Sequence, residues 1–350
     1  MTERQVAFSG TGPVRSGYEI DEKALEKYMT EHVQGFAGPV GIRQFRGGQS
    51  NPTYQIVTPS RKYVLRRKPL GKLLKSAHAV DREYRVITAL ARTDVPVART
   101  YALCTDDSVI GSWFYIMDDV EGRIFWTYED APLEERAALF DAMNEAIAGL
   151  HKVDYKSIGI EDFGKKGNYF ARQLSRWTKQ YQASVDSGYP PMDELIDWLN
   201  RNIPEDDQTA IVHGDYRIDN IIYHPTQPRI LAILDWEIST LGHPLSDFCY
   251  HCMSWRMPAG EGRGLAGLDL KSLNIPTEED YVAAYCRRTG IKEIKNWNYY
   301  MAFNLFRVSA IVFGIMGRVK DGTAASQQAR ETSAMAEPLA DLGLAQAKSA

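Results

Sequence analysis

This chain of 350 residues has few cysteines, few long apolar runs and only a small net charge. Four cysteines are too few for a disulfide framework, and Cys249-Tyr-His-Cys252 has no second ligand pair at the spacing that a zinc site needs. A net charge of −4 argues against a general nucleic-acid-binding protein. The N-terminus lacks the apolar core of a signal peptide, and we expect no apolar run long enough to span a membrane. These absences predict a cytoplasmic protein without nucleic-acid or membrane partners.

The composition is that of an ordinary globular protein, with 44% apolar and 25% charged residues. A chain of this length can bury a sizeable core and has room for about two domains or lobes. Size and composition therefore place few limits on the function, which has to be inferred from the sequence motifs.

The most informative stretch lies between residues 211 and 236. It reads as a short apolar strand, a polar loop, and a tight antiparallel hairpin whose last strand ends on an acid. This pattern puts Asp215 and Asn220 on the loop and Asp235 at the end of the hairpin. Two carboxylates and one amide oxygen are hard ligands of the kind that suit Mg²⁺. The alternative is a surface hairpin whose Asp and Asn residues only form turns.

This stretch resembles the catalytic core of the aminoglycoside phosphotransferase and choline kinase-like family, a branch of the protein-kinase-like fold. A kinase catalytic loop reads His-x-Asp, with an Asn five residues after the Asp and a metal-binding Asp at the end of a later strand. His213-Gly-Asp215, Asn220 and Asp235 match that pattern. The resemblance implies that Asn220 and Asp235 hold Mg²⁺, and that Asp215 orients the acceptor hydroxyl and accepts its proton. It also implies that Arg217 contacts the transferred phosphate, where protein kinases have a Lys.

Two charged residues upstream are predicted to form an ion pair. Residues 62–69 read as a strand, and Arg66 stands where the resemblance places a phosphate-binding Lys. Residues 77–92 read as an amphipathic helix, and Glu83 lies on its apolar face. A carboxylate that points into the core needs a partner, because a buried unpaired charge is costly. The kinase pattern supplies that partner, so we expect Glu83 to pair with Arg66 and Arg66 to bind nucleotide phosphates.

The resemblance also implies which other residues bind the nucleotide. Two adjacent glycines between two strands, followed by Ser50, Asn51 and Thr53, match the loop that covers the phosphates. Taken alone, two such glycines indicate only a hairpin. Met117 and Asp119 match the hinge between kinase lobes, where backbone groups contact the adenine edge.

The predicted fold is α+β and two-lobed, as in protein kinases. A small N-terminal lobe, residues 1–118, is expected to hold an antiparallel sheet and one main helix, with residues 1–17 as a mobile arm. A larger and mostly helical lobe, residues 119–350, is expected to carry the catalytic and substrate-binding residues. The Ala- and Gln-rich tail after Asp321 is expected to be partly mobile.

Three residues of the second lobe are expected to support the catalytic loop or the core. The resemblance implies that Asp247, at the start of a helix, binds backbone amides of that loop. His243 departs from the family pattern, which often has Asp at this position, and the sequence gives no meaning to the change. His151 ends the apolar stripe of a long helix, and we expect it to be a hydrogen-bonded histidine of the core or of its boundary.

The substrate is less well specified by the sequence. The window from Arg61 to Arg85 holds nine Lys or Arg residues against two acidic ones, which indicates either a solvated surface or a site for a multiply anionic ligand. Within the family, residues 64–69, 77–86 and 240–245 most resemble the kinase-like domain found beside acyl-CoA dehydrogenase modules. That branch implies a hydroxyacyl-CoA acceptor, a CoA thioester whose phosphates the basic window could bind.

The resulting expectation is a small-molecule kinase that uses ATP, or GTP as the alternative nucleotide, with Mg²⁺. Two other readings stay open at this point. One is an aminoglycoside-type O-phosphotransferase, and the other is a pseudokinase that binds nucleotide or CoA without turnover. The sequence does not distinguish a monomer from a homodimer.

Overall fold

A computed structural model describes residues 10–47, 51–69, 79–260, 264–322 and 327–349, with only the backbone given for residues 327 and 328. Statements about the structure refer to these residues. The α+β architecture expected from the sequence is confirmed by a six-stranded antiparallel sheet followed by a mostly helical region.

The sheet has the strand order β1-β2-β3-β4-β6-β5. Its strands are β1 (Thr11–Gly12), β2 (Gly41–Phe45), β3 (Thr53–Val57), β4 (Lys62–Arg67), β5 (Thr100–Cys104) and β6 (Phe114–Asp118). Thr11 of β1 pairs with Phe45 of β2. Within the arm expected at residues 1–17, β1 therefore extends the sheet through its backbone hydrogen bonds. Residues 1–9 lie outside the described residues.

One helix covers each face of this sheet. Helix α1 (Glu22–His32) starts at Asp21, whose carboxylate accepts hydrogen bonds from two backbone amides of the first turn. It packs on the face that carries Tyr63 and Leu65 of β4. Helix α2 (Val80–Leu90) packs on the opposite face, to which Val64 and Arg66 point by the alternation of the strand. Arg66 therefore faces the helix that carries Glu83.

The region after residue 118 consists mainly of helices, with two short two-stranded sheets that hold the polar motif. The short helix α3 (Asp107–Ile110) precedes β6, and the remaining helices are α4 (Arg136–Lys152), α5 (Tyr169–Gln182), α6 (Pro190–Arg201), α7 (Pro244–Cys252), α8 (Glu278–Thr289), α9 (Trp297–Lys320), α10 (Gln327–Ser333) and α11 (Ala336–Lys348). The hairpin expected from the sequence is confirmed as β8 (Ile221–Tyr223) with β9 (Ile230–Ile233). Strand β7 (Ala210–Val212) pairs with β10 (Thr240–Gly242). The catalytic loop thus lies between two anchored strands, β7 and β8.

Helix α9 is the central helix of the second lobe. Among the described residues it is the one helix long and apolar enough to cross a membrane by length and composition, so the expectation that no apolar run approaches such a span fails for α9. Within its most apolar window, 72% of the residues are buried inside the fold. That burial is the mark of a core helix in a folded domain.

The tail expected to be partly mobile is helical where the structure describes it. Helices α10 and α11 follow Asp321, and α11 packs on α9 through the buried residues Leu339 and Ala340. The Ser309 hydroxyl of α9 donates to the carbonyl of Ala336 at 2.7 Å. The alanines read as a sign of mobility instead favour the helix and allow it to approach α9 closely.

Candidate active site

The catalytic loop is held in its shape by a glycine and a histidine. Gly214 adopts φ +85°, and a Cβ at this position would lie 3.1 Å from Cγ1 of Ile238. The His213 ring donates from Nε2 to the carbonyl of Leu234 at 2.8 Å and accepts at Nδ1 from the amide of Asp215 at 3.2 Å. A single neutral imidazole thereby joins the loop to the turn that carries the metal-binding candidate.

Asp247 of α7 binds the backbone of the same loop. Its carboxylate accepts from the backbone amides of His213 and Gly214, each at 2.7 Å, and from Nε2 of His151 at 3.2 Å. The other ring nitrogen of His151 is 2.7 Å from the hydroxyl of Tyr285. Burial acts to raise the pKa of Asp247, but the bonds from His151 and His213 outweigh burial, and the pKa lies below its ordinary value. The predicted positions of Asp247 and His151 are both confirmed.

We expect replacement of Asp247 by Asn to lower the free energy of unfolding by about 2–4 kcal/mol. The amide has one acceptor oxygen in place of two, so one buried backbone amide would face an NH₂ group. Urea unfolding measures the change. The control is Asp186→Asn, which alters an exposed aspartate and should stay within about 0.5 kcal/mol. A loss at Asp247 no larger than in the control would show that this carboxylate does not hold the loop.

Three hydrogen-bond donors contact Asp215, two from the loop and one from α7. Its Oδ1 accepts from the hydroxyl of Tyr250 at 2.5 Å. Its Oδ2 lies 3.1 Å from Nη2 of Arg217 and accepts from Nδ2 of Asn220 at 3.1 Å. The amide nitrogen of Asn220 also donates to the backbone carbonyl of Asp215 at 2.9 Å. Because Asn220 uses its nitrogen in this way, its amide oxygen is the atom left for a cation.

The second metal-binding candidate is linked to the upstream ion pair. Asp235 adopts φ +64°, a conformation that aspartate tolerates better than most residues. Its Oδ1 lies 2.6 Å from Nη2 of Arg66, and Nε of Arg66 lies 2.9 Å from Oε2 of Glu83. The predicted pair of Glu83 and Arg66 is thus confirmed. Glu237, which the sequence reasoning did not single out, lies 3.6 Å from the same guanidinium.

The pKa values of Arg66 and Glu83 each depend on the neighbouring charges. Burial acts to lower the pKa of Arg66, but Glu83 and Asp235 outweigh it, and the pKa lies above its ordinary value. Arg66 is therefore a permanent cation at this point of the cleft. Burial raises the pKa of Glu83, while the charge of Arg66 opposes that effect.

The residues predicted to form the phosphate loop lie around this ion pair. Asn51 is fully buried, and its amide donates to Oε1 of Glu83 at 2.8 Å. Thr53 begins β3, and its hydroxyl donates to the carbonyl of Asn51 at 3.0 Å. Ser50 lies outside the described residues. In this structure Asn51 supports Glu83, and the nucleotide contacts of Asn51 and Thr53 stay predictions.

The two hinge candidates lie at the end of β6. Met117 is buried and pairs with Val64 of β4. Asp119 follows the strand and accepts from Nε2 of Gln55 at 2.6 Å, and burial raises the pKa of its carboxyl. Both residues lie beside the strand that carries Arg66, which is compatible with an adenine site, and their contacts to the base stay predictions.

Two residues next to Asp215 escaped the sequence reasoning. Tyr250 lies on α7, three residues after Asp247 and thus on nearly the same side of that helix. Arg307 of α9 is 8% exposed and donates from Nη2 to the carbonyl of Gly214 at 2.8 Å. Arg307 is the one charged residue between positions 297 and 316. A lone charge in a long apolar helix was the signal that could have identified it.

The departure at His243 has a structural explanation. Its ring is buried at the N-terminus of α7, and Nδ1 accepts from the amide of Leu245 at 3.2 Å. The ring stacks on Tyr300, and burial lowers the pKa of His243 to about 4. A neutral His243 therefore caps the helix in the way that the more usual Asp would.

The basic window offers few unpaired charges. Its described members contact acidic groups or carbonyls: Arg61 with Asp118, Lys62 with Glu121, Arg66 with Glu83, Arg67 with the carbonyls of Ile110 and Tyr18, Lys68 with Asp81, Arg82 with the carbonyl of Phe163, and Arg85 with Asp162. Lys72 and Lys75 lie outside the described residues. The described part of the window is therefore built largely from internal ion pairs.

The donor set at the loop fits a hard cation. Within the described ranges no cluster of three His, Cys, Asp or Glu side chains is arranged to hold a metal ion. Asn220 and Asp235 together offer one amide oxygen and one carboxylate. Mg²⁺ is commonly held by one or two such protein ligands and completes its shell with water and substrate phosphates.

Comparison with known proteins agrees with this geometry. The model of the phosphotransferase enzyme family matches residues 41–295, which is most of the chain. The chain belongs to this family. A crystal structure from Ralstonia eutropha, provisionally described as an aminoglycoside phosphotransferase, is 53% identical and superposes with a TM-score of 0.89 over 95% of this chain and 99% of its own. The aminoglycoside phosphotransferase APH(4)-Ia, solved with AMP-PNP and hygromycin B, is 16% identical with a TM-score of 0.61 over 92% of this chain and 98% of its own, and this likeness shows the fold.

Curated relatives include proteins with longer chains. Acyl-CoA dehydrogenase family member 10 of Mus musculus is 44% identical over 95% of this chain, and this chain covers 32% of that protein. Acyl-CoA dehydrogenase family member 11 of Gallus gallus is 41% identical over 96% of this chain and 44% of its own length. This chain therefore spans less than half the length of the curated relatives that it matches.

Proposed function

We propose that this chain is a small-molecule kinase that transfers the γ-phosphate of ATP to a hydroxyl group with the help of Mg²⁺. The observation that carries the proposal is that two groups of polar side chains are joined where the amide of Leu234 donates to the carbonyl of Asn220 at 2.8 Å. Glu83, Arg66 and Asp235 form one chain of contacts, and Arg217, Asp215 and Asn220 form the other. GTP is the alternative nucleotide.

Each residue has a role that follows from its position. Asp215 orients the acceptor hydroxyl and takes its proton as the acceptor oxygen bonds to the γ-phosphorus and the bond to the leaving ADP oxygen breaks. Arg66, held by Glu83, places a fixed positive charge where the nucleotide phosphates would lie. Asn220 and Asp235 would hold Mg²⁺, which supplies charge neutralisation to the phosphates when bound. Arg217 would contact the transferred phosphate.

We propose a hydroxyacyl-CoA as the acceptor. The relatives with the longer chains are named as acyl-CoA dehydrogenase family members, and this supports an acyl-CoA.

Two other functions remain as alternatives. The likeness to the Ralstonia eutropha structure favours an aminoglycoside-type O-phosphotransferase. The presence of Arg66 in place of the usual Lys favours a pseudokinase. Against a pseudokinase, the full set of Asp215, Asn220 and Asp235 is present around one loop, which a binding module without turnover would not need.

Calorimetric titration of ATP with Mg²⁺, and again with EDTA, tests the proposal on the wild-type chain. We expect binding with Mg²⁺ and a large loss of affinity in EDTA, because phosphates and protein share the cation. GTP titrated under the same conditions decides the nucleotide. Transfer from labelled ATP to hydroxyacyl-CoA and to amino sugars then decides the acceptor. Failure to bind either nucleotide in the presence of Mg²⁺ would overturn the kinase proposal, and Mg²⁺-dependent binding without transfer to any acceptor would favour the pseudokinase.

A further inference from the structure

The hydrogen bonds of Asp215 limit where an acceptor can approach. An ionised carboxylate offers about four lone-pair sites. Oδ2 already contacts Arg217 and Asn220, and Oδ1 accepts from Tyr250. The remaining site is on Oδ1, the oxygen that Tyr250 also uses. An acceptor hydroxyl therefore has to bind beside the Tyr250 hydroxyl and share that oxygen with it.

Tyr250 is held in this place by residues from two other helices. The guanidinium of Arg307 lies 5.3 Å from the centre of the Tyr250 ring and 6.0 Å from that of Trp177 on α5. Arg307 also donates to the carbonyl of Gly214, the residue before Asp215. Burial raises the pKa of Tyr250 above its ordinary value, and the negative charge of Asp215 adds to this effect. The phenol thus stays protonated and can act only as a hydrogen-bond donor to Asp215.

We propose that Tyr250 is a positioning residue that aims Asp215 at the acceptor and keeps the base from activating water. This inference rests on the proposed kinase function and adds a residue that controls the choice between transfer and hydrolysis. Without an acceptor, the competing step joins a water oxygen to the γ-phosphorus and breaks the bond to ADP, with one water proton passing to Asp215. Tyr250 hinders that step because its hydroxyl occupies one of the two sites on Oδ1 and leaves a water only the other.

Tyr250→Phe tests this role with little change of shape. Removal of the hydroxyl frees a lone pair on Oδ1 and leaves room in which a water can bind to the carboxylate. We expect ATP hydrolysis without acceptor to rise on the order of tenfold, the change expected from losing one hydrogen bond to a charged group. Calorimetry should give a Kd for ATP with Mg²⁺ within about twofold of wild type, because Tyr250 contacts neither Arg66 nor the proposed metal ligands. Transfer to an acceptor should lose kcat more than it changes KM, because the base is less well aimed.

Tyr189→Phe is the matched control. The Tyr189 hydroxyl also donates to an aspartate, Asp341, at 3.0 Å, but this bond joins the start of α6 to α11 and contacts no residue of the catalytic loop. We expect hydrolysis in this variant to equal that of wild type. If the rate of ATP hydrolysis rises equally in both variants, the cause is a general destabilisation of the fold, and the proposed role of Tyr250 is wrong.

A double-mutant cycle with Asp215→Asn separates positioning from a structural role. If Tyr250 acts through Asp215, Tyr250→Phe should leave hydrolysis unchanged in the Asp215→Asn background, and the two substitutions should also be non-additive in urea unfolding, which needs no nucleotide. Additive effects in both measurements, or hydrolysis in Tyr250→Phe at or below the wild-type rate, would overturn the inference. Loss of nucleotide binding already in the wild type would instead overturn the proposed function.

Discussion

Replacement of Asp215 by Asn is expected to lower phosphoryl transfer by about a hundredfold to ten-thousandfold, the usual range for loss of a general base. The amide keeps the shape of the carboxylate but has one acceptor oxygen, so it can accept from Tyr250 or from Asn220 but not from both. It cannot take a proton from the acceptor hydroxyl. The acceptor oxygen would then attack with its proton still attached, or lose that proton to solvent outside the site. Steady-state transfer from labelled ATP to a working acceptor measures the change.

Nucleotide binding is the internal control for Asp215→Asn. The proposed metal ligands are Asn220 and Asp235, so the Kd for ATP with Mg²⁺ should stay within a few fold of wild type. A variant that binds ATP normally and transfers at more than a tenth of the wild-type rate would show that Asp215 is not the base. If instead both binding and transfer collapse, Asp215 would be a metal ligand, and the roles within the loop would have to be reassigned.

The parts of this site that sequence reasoning predicted share a short range or a fixed spacing. Asp215 and Asn220 lie on one loop, and the hairpin of β8 and β9 returns the chain to Asp235. The pair of Arg66 and Glu83 was predictable for a different reason. An inward-facing carboxylate on an apolar helix face needs a nearby cation, and the resemblance to kinases implied which basic residue of the preceding strand supplies it.

The parts that sequence reasoning missed depend on contacts between distant segments. Tyr250 reaches Asp215 over 35 positions, and Arg307 reaches Gly214 over 93. No local period or motif relates such residues, and only the packing of α7 and α9 against the loop brings them there. The described helices of the tail after Asp321 also depend on contacts between distant segments, because α11 packs closely on α9.

Asn51 has a structural contact that its motif did not predict. Its place in a Gly-containing turn between two strands predicted a contact with phosphate, which stays a prediction. In the structure its side chain donates to Glu83. Glu83 is buried and has two carboxylate oxygens to satisfy; Arg66 and Tyr115 both contact Oε2, and the Asn51 amide donates to Oε1. The demand for hydrogen bonds inside the core thus decided the orientation.

Replacement of Asp235 by Asn is expected to weaken the Mg²⁺-dependent binding of ATP by about a hundredfold, which corresponds to about 2.7 kcal/mol. The carboxylate is the charged member of the proposed ligand pair, and an amide oxygen is a weaker ligand for Mg²⁺. The fold should tolerate the change, because Arg66 keeps its contact with Glu83 at 2.9 Å. Calorimetry with Mg²⁺ and with EDTA measures both parts of the effect. In EDTA the variant and the wild type should bind ATP about equally, because the lost ligand matters only when the cation is present.

Glu237→Gln is the matched control for Asp235→Asn. Glu237 lies two residues further along the same turn and also faces Arg66, at 3.6 Å, but it is not one of the proposed ligands. Its loss removes a negative charge near the phosphate site, so ATP should bind as well as in the wild type or slightly better. If Glu237→Gln abolishes Mg²⁺-dependent binding and Asp235→Asn does not, the cation is bound by Glu237 and not by Asp235, contrary to the proposal. If both variants lose binding equally, the effect comes from the charge balance around Arg66 rather than from a ligand.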